Sequence, residues 1–397
     1  MFRVLLYLAL AGAAAAATTI APDDAQLQFI GRFADGPAGT KLFDMPGCEI
    51  RARVVLASPS AVHVLLAQRH LAPPPGTGNT KNSGFEPNAF VVWVDGVRQG
   101  AGGHNATFTT NANQSDGKAY AFALTAKPMA AGTHDVRILK ATEADWNGGS
   151  PVPNYMLFSG LKVAADAALA ATTPPPLLPA RKIEFLGDSI TAGFCNECIQ
   201  NAPGGSHPNR HLPDDHNEAY GATWDFQIGE LLKTQVHTAA WSGLGMVRNC
   251  CGGNTTMPTI WNRTLATLNV NDTWQFDSWK ADALVINLGT NDGSAATDPE
   301  YNYEGIYADV VMQASRVYPG VHVFLACGPM SETYCTPIMN VIKAVTAKGF
   351  KNAHFLDQRG FLNGTFGPKC CGHPSIEVDG AMAKSGAAFI AKTLGWK

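Results

Sequence analysis

Between residue 27 and about residue 164 the apolar residues come in short runs, several alternating with polar ones. "EIRARVVLA" (49–57), "AVHVLLA" (61–67), "AFVVWVDGVRQ" (89–99), "AYAFALTA" (119–126), "GTHDVRILKA" (132–141) and "YMLFSGLKV" (155–163) each have the length and period of a strand. Turn residues separate them, and Asp95-Gly96 inside the third run predicts a two-residue hairpin. Successive short strands with no helical period between them predict an all-β domain, a sandwich of jelly-roll type over residues 27–164.

The pattern changes at residues 165–181, where the consecutive prolines Pro174, Pro175 and Pro176 stiffen a linker and mark a domain boundary. Beyond it, over residues 182–397, strands and helices alternate. "KIEFLGDS", "VHTAAWSG" (236–243), "ADALVINLGTND" (281–292), "VHVFLACGP" (321–329) and "AHFLD" (353–357) are apolar runs ending in polar loops. Helical stretches are predicted over 218–234, 302–318 and 336–348, and a last helix follows Ser375, a suitable N-cap. This alternation predicts a mostly parallel sheet with helices on both faces, which binds ligands at the carboxyl ends of its strands.

Composition narrows the class. The chain of 397 residues is 46% hydrophobic and 15% charged, enough to bury two cores. A net charge of −3 gives no basis for binding nucleic acid or an anionic membrane. "MFRVLLYLALAGAAAAATT" has the grammar of a cleaved signal peptide over residues 1–17, and its apolar run is too short for a membrane span. Six N-x-Ser/Thr sequons start at Asn105, Asn113, Asn254, Asn262, Asn271 and Asn363, which with the leader predicts a secreted glycoprotein. Eight of the nine cysteines lie between Cys195 and Cys371 and read as disulfide candidates in an oxidising compartment, in preference to a zinc or redox site. Cys327 and Cys335 are close enough in sequence to pair, whereas Cys48 stands alone and reads as a buried free thiol.

The chemistry sits at the predicted strand ends. They carry Gly187-Asp188-Ser189, Ser242-Gly243-Leu244-Gly245 and Gly289-Thr290-Asn291-Asp292, while His373 precedes the last helix. A serine needs a neighbouring base to become a nucleophile, and histidine titrates near working pH. A tetrahedral intermediate needs donors for its developing negative oxygen, which a glycine N–H and an asparagine amide supply. Acyl transfer asks for this set. Asp188 and Asp292 read as turn-bonding residues. Trp146, Trp241, Trp261 and Trp274 fit packing better than sugar stacking, and His207 and His211 show no ligand spacing. No metal and no cofactor are expected.

"FLGDSIT", "SGLG", "GTND" and "HPS" resemble the four blocks of the GDSL or SGNH hydrolase superfamily, a flavodoxin-like α/β/α fold. With "IGRF" (30–33), "PGCEIRAR" (46–53) and "VWVDG" (92–96) ahead of them, nearly the whole mature chain resembles carbohydrate esterase family two. The resemblance implies Ser189 as nucleophile and His373 as base. The oxyanion hole would be the Ser189 N–H with Gly243 and Asn291, Gly245 being the second choice for the glycine. It further implies a secreted esterase that removes O-acetyl groups from xylan or a related polysaccharide.

Two features depart from the family pattern. Cys370 stands where an aspartate usually precedes the histidine, and no second histidine follows. An aspartate in that place fixes the imidazole and stabilises its charged form without taking the proton, and a backbone carbonyl can also hold Nδ1–H. Some family members resemble such a Ser–His dyad. Asp357, Glu377 and Asp379 are the possible substitute acids; Asp357 reads better as a solvated strand end, and Glu377 and Asp379 as first-turn carboxylates favoured by the helix dipole. The alternatives are a lipase-like GDSL ester hydrolase and a carbohydrate-binding protein with a crippled site.

Overall fold

A computed structural model describes residues 17–70, 88–100, 106–114, 116–144, 154–170, 178–197, 219–267 and 273–397. The proposed leader up to residue 16, the three linker prolines, Trp146, Cys198, His207, His211 and the sequon residues Asn105 and Asn271 lie outside the described residues.

The first domain is two antiparallel sheets packed face to face. One runs in the order Tyr120–Ala123, His63–His70, Asn154–Ala164, Lys41–Phe43 and Ala34–Asp35, with Ala17–Ile20 also paired to Asn154–Ala164. The other runs Ala168–Leu169, Glu49–Leu56, Gly132–Lys140, Ala89–Val94 and Val97–Arg98. Alternation in the sequence becomes alternation in burial: Ile50, Ala52, Val54 and Leu56 are buried between the partly exposed Arg51, Arg53 and Val55. They meet Val64, Leu66, Met156 and Phe158 in one apolar cluster. Each such Val or Leu contributes about 1.5–3 kcal/mol by leaving water. Asp95 and Gly96 both take positive φ, 53° and 76°, in the tight hairpin that their dipeptide predicts.

The second domain has a five-stranded parallel sheet of β1 (Arg181–Gly187), β2 (Thr234–Ala240), β3 (Ala283–Asn287), β4 (His322–Cys327) and β5 (Ala353–Asp357). Its order is β2-β1-β3-β4-β5, the flavodoxin-like order. The long helices are α1 (Trp224–Leu232), α2 (Tyr303–Val317), α3 (Cys335–Ala347) and α4 (Ile376–Leu394). Tyr307 and Val311 of α2 and Ile338 and Val341 of α3 share a cluster with Leu284, Ile286, Val323 and Leu325. Trp224, Ile228, Met382 and Ile390 of α1 and α4 share another with Ile183, Phe185, Val285 and Phe324. Both faces of the sheet are therefore covered, which is why its strands read as unbroken apolar runs.

Two predicted elements are shorter than the pattern suggests. The helix predicted over 218–234 begins only at Trp224, because Thr223 is extended and caps it, accepting the Phe226 N–H at 3.4 Å. The strand predicted over 236–243 stops at Ala240, where the chain turns through Gly243 at φ 81°.

The domains are joined by buried polar groups. Arg32 of the sandwich is wholly buried and donates to the carbonyls of Trp261 and Arg263, both at 2.6 Å, and to Glu184 Oε1 on β1 at 2.7 Å. Glu184 Oε2 accepts from Trp261 Nε1 at 3.0 Å and the Tyr318 hydroxyl at 2.8 Å, and Trp274 stacks on the guanidinium. Asp44 accepts from the N–H groups of Ala266 and Thr267 and from the Thr267 hydroxyl. Trp241, Trp261 and Trp274 are buried, in keeping with packing roles.

Candidate active site

Four chain segments converge at the carboxyl edge of the parallel sheet. Ser189 begins a single helical turn, Ser189–Ala192, directly after β1. Asp188 caps that turn, accepting the Ile190 N–H at 3.0 Å, and Gly193 ends it at φ 91°. The geometry seats Ser189 Oγ 2.7 Å from His373 Nε2, across 184 positions of sequence.

His373 lies in a small hairpin, Lys369–Cys370 paired with His373–Pro374. The two residues between, Cys371 and Gly372, have φ 52° and 83°, a two-residue turn of the primed kind. This turn brings the Cys371 carbonyl 3.1 Å from His373 Nδ1, where it accepts the Nδ1–H hydrogen bond and leaves Nε2 as the lone-pair nitrogen facing Ser189. A disulfide from Cys371 to Cys195, six residues beyond Ser189, ties the turn to the nucleophile segment, and Cys370 is disulfide-bonded as well. The Phe194 ring packs on the imidazole at 4.9 Å. Burial lowers the His373 pKa below the usual value, against the smaller opposing effect of the Cys371 carbonyl.

Asn291 reaches Asp188, the residue before Ser189, and Leu244, the residue after Gly243. A Cβ on Gly243 would stand at a positive φ and 3.2 Å from Cys250 Sγ. The Cys250 N–H holds the Gly243 carbonyl at 2.9 Å, and Cys250 is bonded to its neighbour Cys251. Gly245 N–H is committed to Asn249 Oδ1 at 3.1 Å, while the Gly243 N–H has no acceptor among the described residues. That difference favours Gly243 over Gly245 as a donor to a substrate. The Asn291 amide donates to the Leu244 carbonyl at 2.8 Å and, at 3.3 Å, to Asp188 Oδ2.

The two acidic neighbours serve the scaffold. Asp292 accepts from the N–H groups of Met246, Val247 and Arg248 at 2.9, 2.7 and 3.0 Å, closing the loop that follows Gly243. Asp188 is pushed up to about 7, first by burial and then by the nearby Asp292 and Glu143, against the pull of the Ile190 N–H. Asp357 makes no hydrogen bond to His373. Both its oxygens go to Arg359, at 2.9 and 2.7 Å, and those bonds hold its pKa below the usual carboxylate value. Glu377 and Asp379 do lie in the first turn of α4, but Asp379 is buried and accepts from Asn196 Nδ2 at 3.1 Å. It helps to fasten α4 to the loop after Ser189, a role its place in the sequence does not suggest. Cys327 pairs with Cys335, and Cys48 is a buried free thiol pushed up to about 12 by burial.

Residues 185–375 match the model of the GDSL-like Lipase/Acylhydrolase family. The second domain is a GDSL-like domain. Among curated proteins, the cellulase/esterase CelE of Acetivibrio thermocellus is 30% identical over 281 residues, 68% of this chain and 31% of that protein. An acetylxylan esterase / glucomannan deacetylase of Cellvibrio japonicus is 27% identical over 199 residues, 50% of each chain. The chain thus spans half the length of these relatives or less. A family two carbohydrate esterase from Clostridium thermocellum, solved with cellohexaose, has 23% identity and a TM-score of 0.74, over 94% of this chain and 100% of that one. An acetyl xylan esterase from the rumen bacterium Butyrivibrio proteoclasticus has 15% identity and a TM-score of 0.74, over 97% and 100%. These structures share the two-domain fold. The curated relatives are esterases, and one of the solved structures that share the fold is a family two carbohydrate esterase, the family that the motifs resemble.

Proposed function

We propose that this chain is a serine esterase that removes O-acetyl groups from an acetylated polysaccharide, xylan or a similar glycan, outside the cell. The observation that carries the reading is the contact of Ser189 Oγ with His373 Nε2 at 2.7 Å beside three donors suited to an oxyanion. Ser189 attacks the acetyl carbonyl while its proton passes to His373 Nε2. The Ser189 and Gly243 N–H groups and the Asn291 amide receive the negative oxygen. The imidazolium then protonates the departing sugar oxygen, leaving acetyl on Ser189, and water activated by His373 releases acetate. The Cys371 carbonyl takes over the orienting part of the missing carboxylate. Charge on the imidazolium is offset less well by a neutral carbonyl, which is the expected weakness of this arrangement.

The relatives named as acetylxylan esterases support the substrate class, and the strand orders of the two sheets support a jelly-roll reading of the first domain. The leader-like N-terminus, the disulfides and the exposed sequon residues Asn113, Asn254 and Asn363 support secretion and glycosylation. Asn262 is the poorest glycan acceptor, since its side chain is engaged by Pro258 and Gln313. The paired serine and histidine argue against a binding protein with a crippled site. The deciding experiment measures acetate release from acetylated xylan by the purified protein. Release supports the proposal; binding of the glycan without release, and no hydrolysis of a small acetyl ester, overturns it.

Two further results are expected of this mechanism. Asn291→Ala should lower kcat about 10²- to 10³-fold, as loss of one oxyanion donor does, with circular dichroism unchanged. The 3.3 Å bond from Asn291 to Asp188 is long, so the amide hydrogen making it is the one an oxyanion can recruit. The second result concerns pH. Nε2 must be unprotonated to accept, so kcat/KM should rise with pH and level off through a pKa below the usual 6.5 or so of histidine, as burial of His373 dictates. A limb centred above that value would contradict the assignment of His373 as base.

A further inference from the structure

We infer that Glu143 of the β-sandwich is a positioning residue for the oxyanion loop, so that the first domain is a working part of the active site and not a tethered module. The inference rests on the esterase reading above. Glu143 lies three residues past Gly132–Lys140 and is buried, at 6% exposure. Its Oε2 accepts the Ser242 N–H at 2.6 Å across 99 positions of sequence. Ser242 directly precedes Gly243, the proposed oxyanion donor. The loop is thereby gripped on both sides of Gly243: Glu143 holds the preceding N–H, and the Cys250 N–H holds the Gly243 carbonyl.

Glu143 is itself held. The buried Lys140 ammonium donates to the Thr142 carbonyl at 2.6 Å and to the Glu143 carbonyl at 2.8 Å. The adjoining Ala141 carbonyl accepts the Tyr220 N–H of the second domain at 3.0 Å. A backbone N–H bound to a carboxylate makes one of the stronger hydrogen bonds, so this grip is stiff. A catalytic donor displaced by about 1 Å can cost on the order of 10² in rate.

The requirement is for an acceptor of this length, and glutamine meets it where methionine does not. In the full chain acting on a small acetyl ester, Glu143→Met is expected to lower kcat by about 10- to 100-fold, with KM changed by less than about threefold. Glu143→Gln is expected to retain kcat within about fivefold, its amide oxygen replacing the carboxylate. Asp44→Ala, which loosens a different contact between the domains, is expected to lower Tm while leaving kcat in place. Should the methionine variant not fold, Glu143→Ala takes its place. A normal kcat in Glu143→Met beside an active wild type overturns the inference alone. So does an equal fall in Glu143→Gln or in Asp44→Ala, which would make Glu143 merely a docking contact. A wild type that hydrolyses no ester overturns the parent reading and this inference together.

Discussion

Ser189→Ala is expected to lower kcat for an acetyl ester by about 10⁴- to 10⁶-fold, with little change in KM. The size of the effect follows from the geometry. The hydroxyl is the group placed 2.7 Å from the proposed base, and alanine would leave the His373 imidazole without a hydroxyl to deprotonate. His373→Ala should cost a similar amount, because nucleophile and base act as one unit, and the double variant should be no worse than either single one. Side-by-side kinetics of the three variants check this. A double loss equal to the product of the single losses would mean that the two residues do not act on one step. The residual rate in all three should come from the donors at Ser189, Gly243 and Asn291 and from binding alone.

Arg32→Ala is expected to destabilise the folded chain by about 3–5 kcal/mol, read from its denaturant midpoint. Arg32 is buried between the domains and satisfies two backbone carbonyls as well as Glu184. Removing it leaves a carboxylate uncompensated in the interior of the second domain, which costs far more than the pair contributes over apolar groups. Glu184→Leu in the same chain should recover only part of the loss. The Trp261 Nε1–H and the Tyr318 hydroxyl, now served by Glu184 Oε2, would then lack an acceptor. A destabilisation under about 1 kcal/mol would place this pair with exposed ion pairs and contradict its burial.

The elements that could be read from the sequence are those with a local signature. Alternation in 49–57 and the Asp95-Gly96 dipeptide each mark their structure directly. The apolar runs ending in Gly-Asp-Ser and Gly-Thr-Asn-Asp place Ser189 and Asn291 on one rim because parallel strands all end on the same edge. What orients His373 could not be read in that way. A main-chain carbonyl has no side-chain letter, and Asp357, which has one, is taken by Arg359. The signal in hindsight is the Cys-Gly dipeptide ahead of the histidine, a turn pair whose cysteine is anchored to Cys195. The contacts of Glu143 and Arg32 could not be read either, since their partners lie 99 and 152 positions away and no periodicity links them. Asp379 sits in the first helical turn as its position predicts, but its inward contact with Asn196 has no local signature.

A covalent acetyl group at Ser189 is the most direct consequence of the proposed esterase mechanism. The protein would be quenched with acid during incubation with an acetylated xylo-oligosaccharide, digested, and the peptide carrying Ser189 weighed. The proposed mechanism predicts a population of that peptide heavier by one acetyl group, present only while substrate remains and missing from Ser189→Ala. Acetate accumulating at full rate from Ser189→Ala, or an acetyl group trapped on another residue, would contradict it.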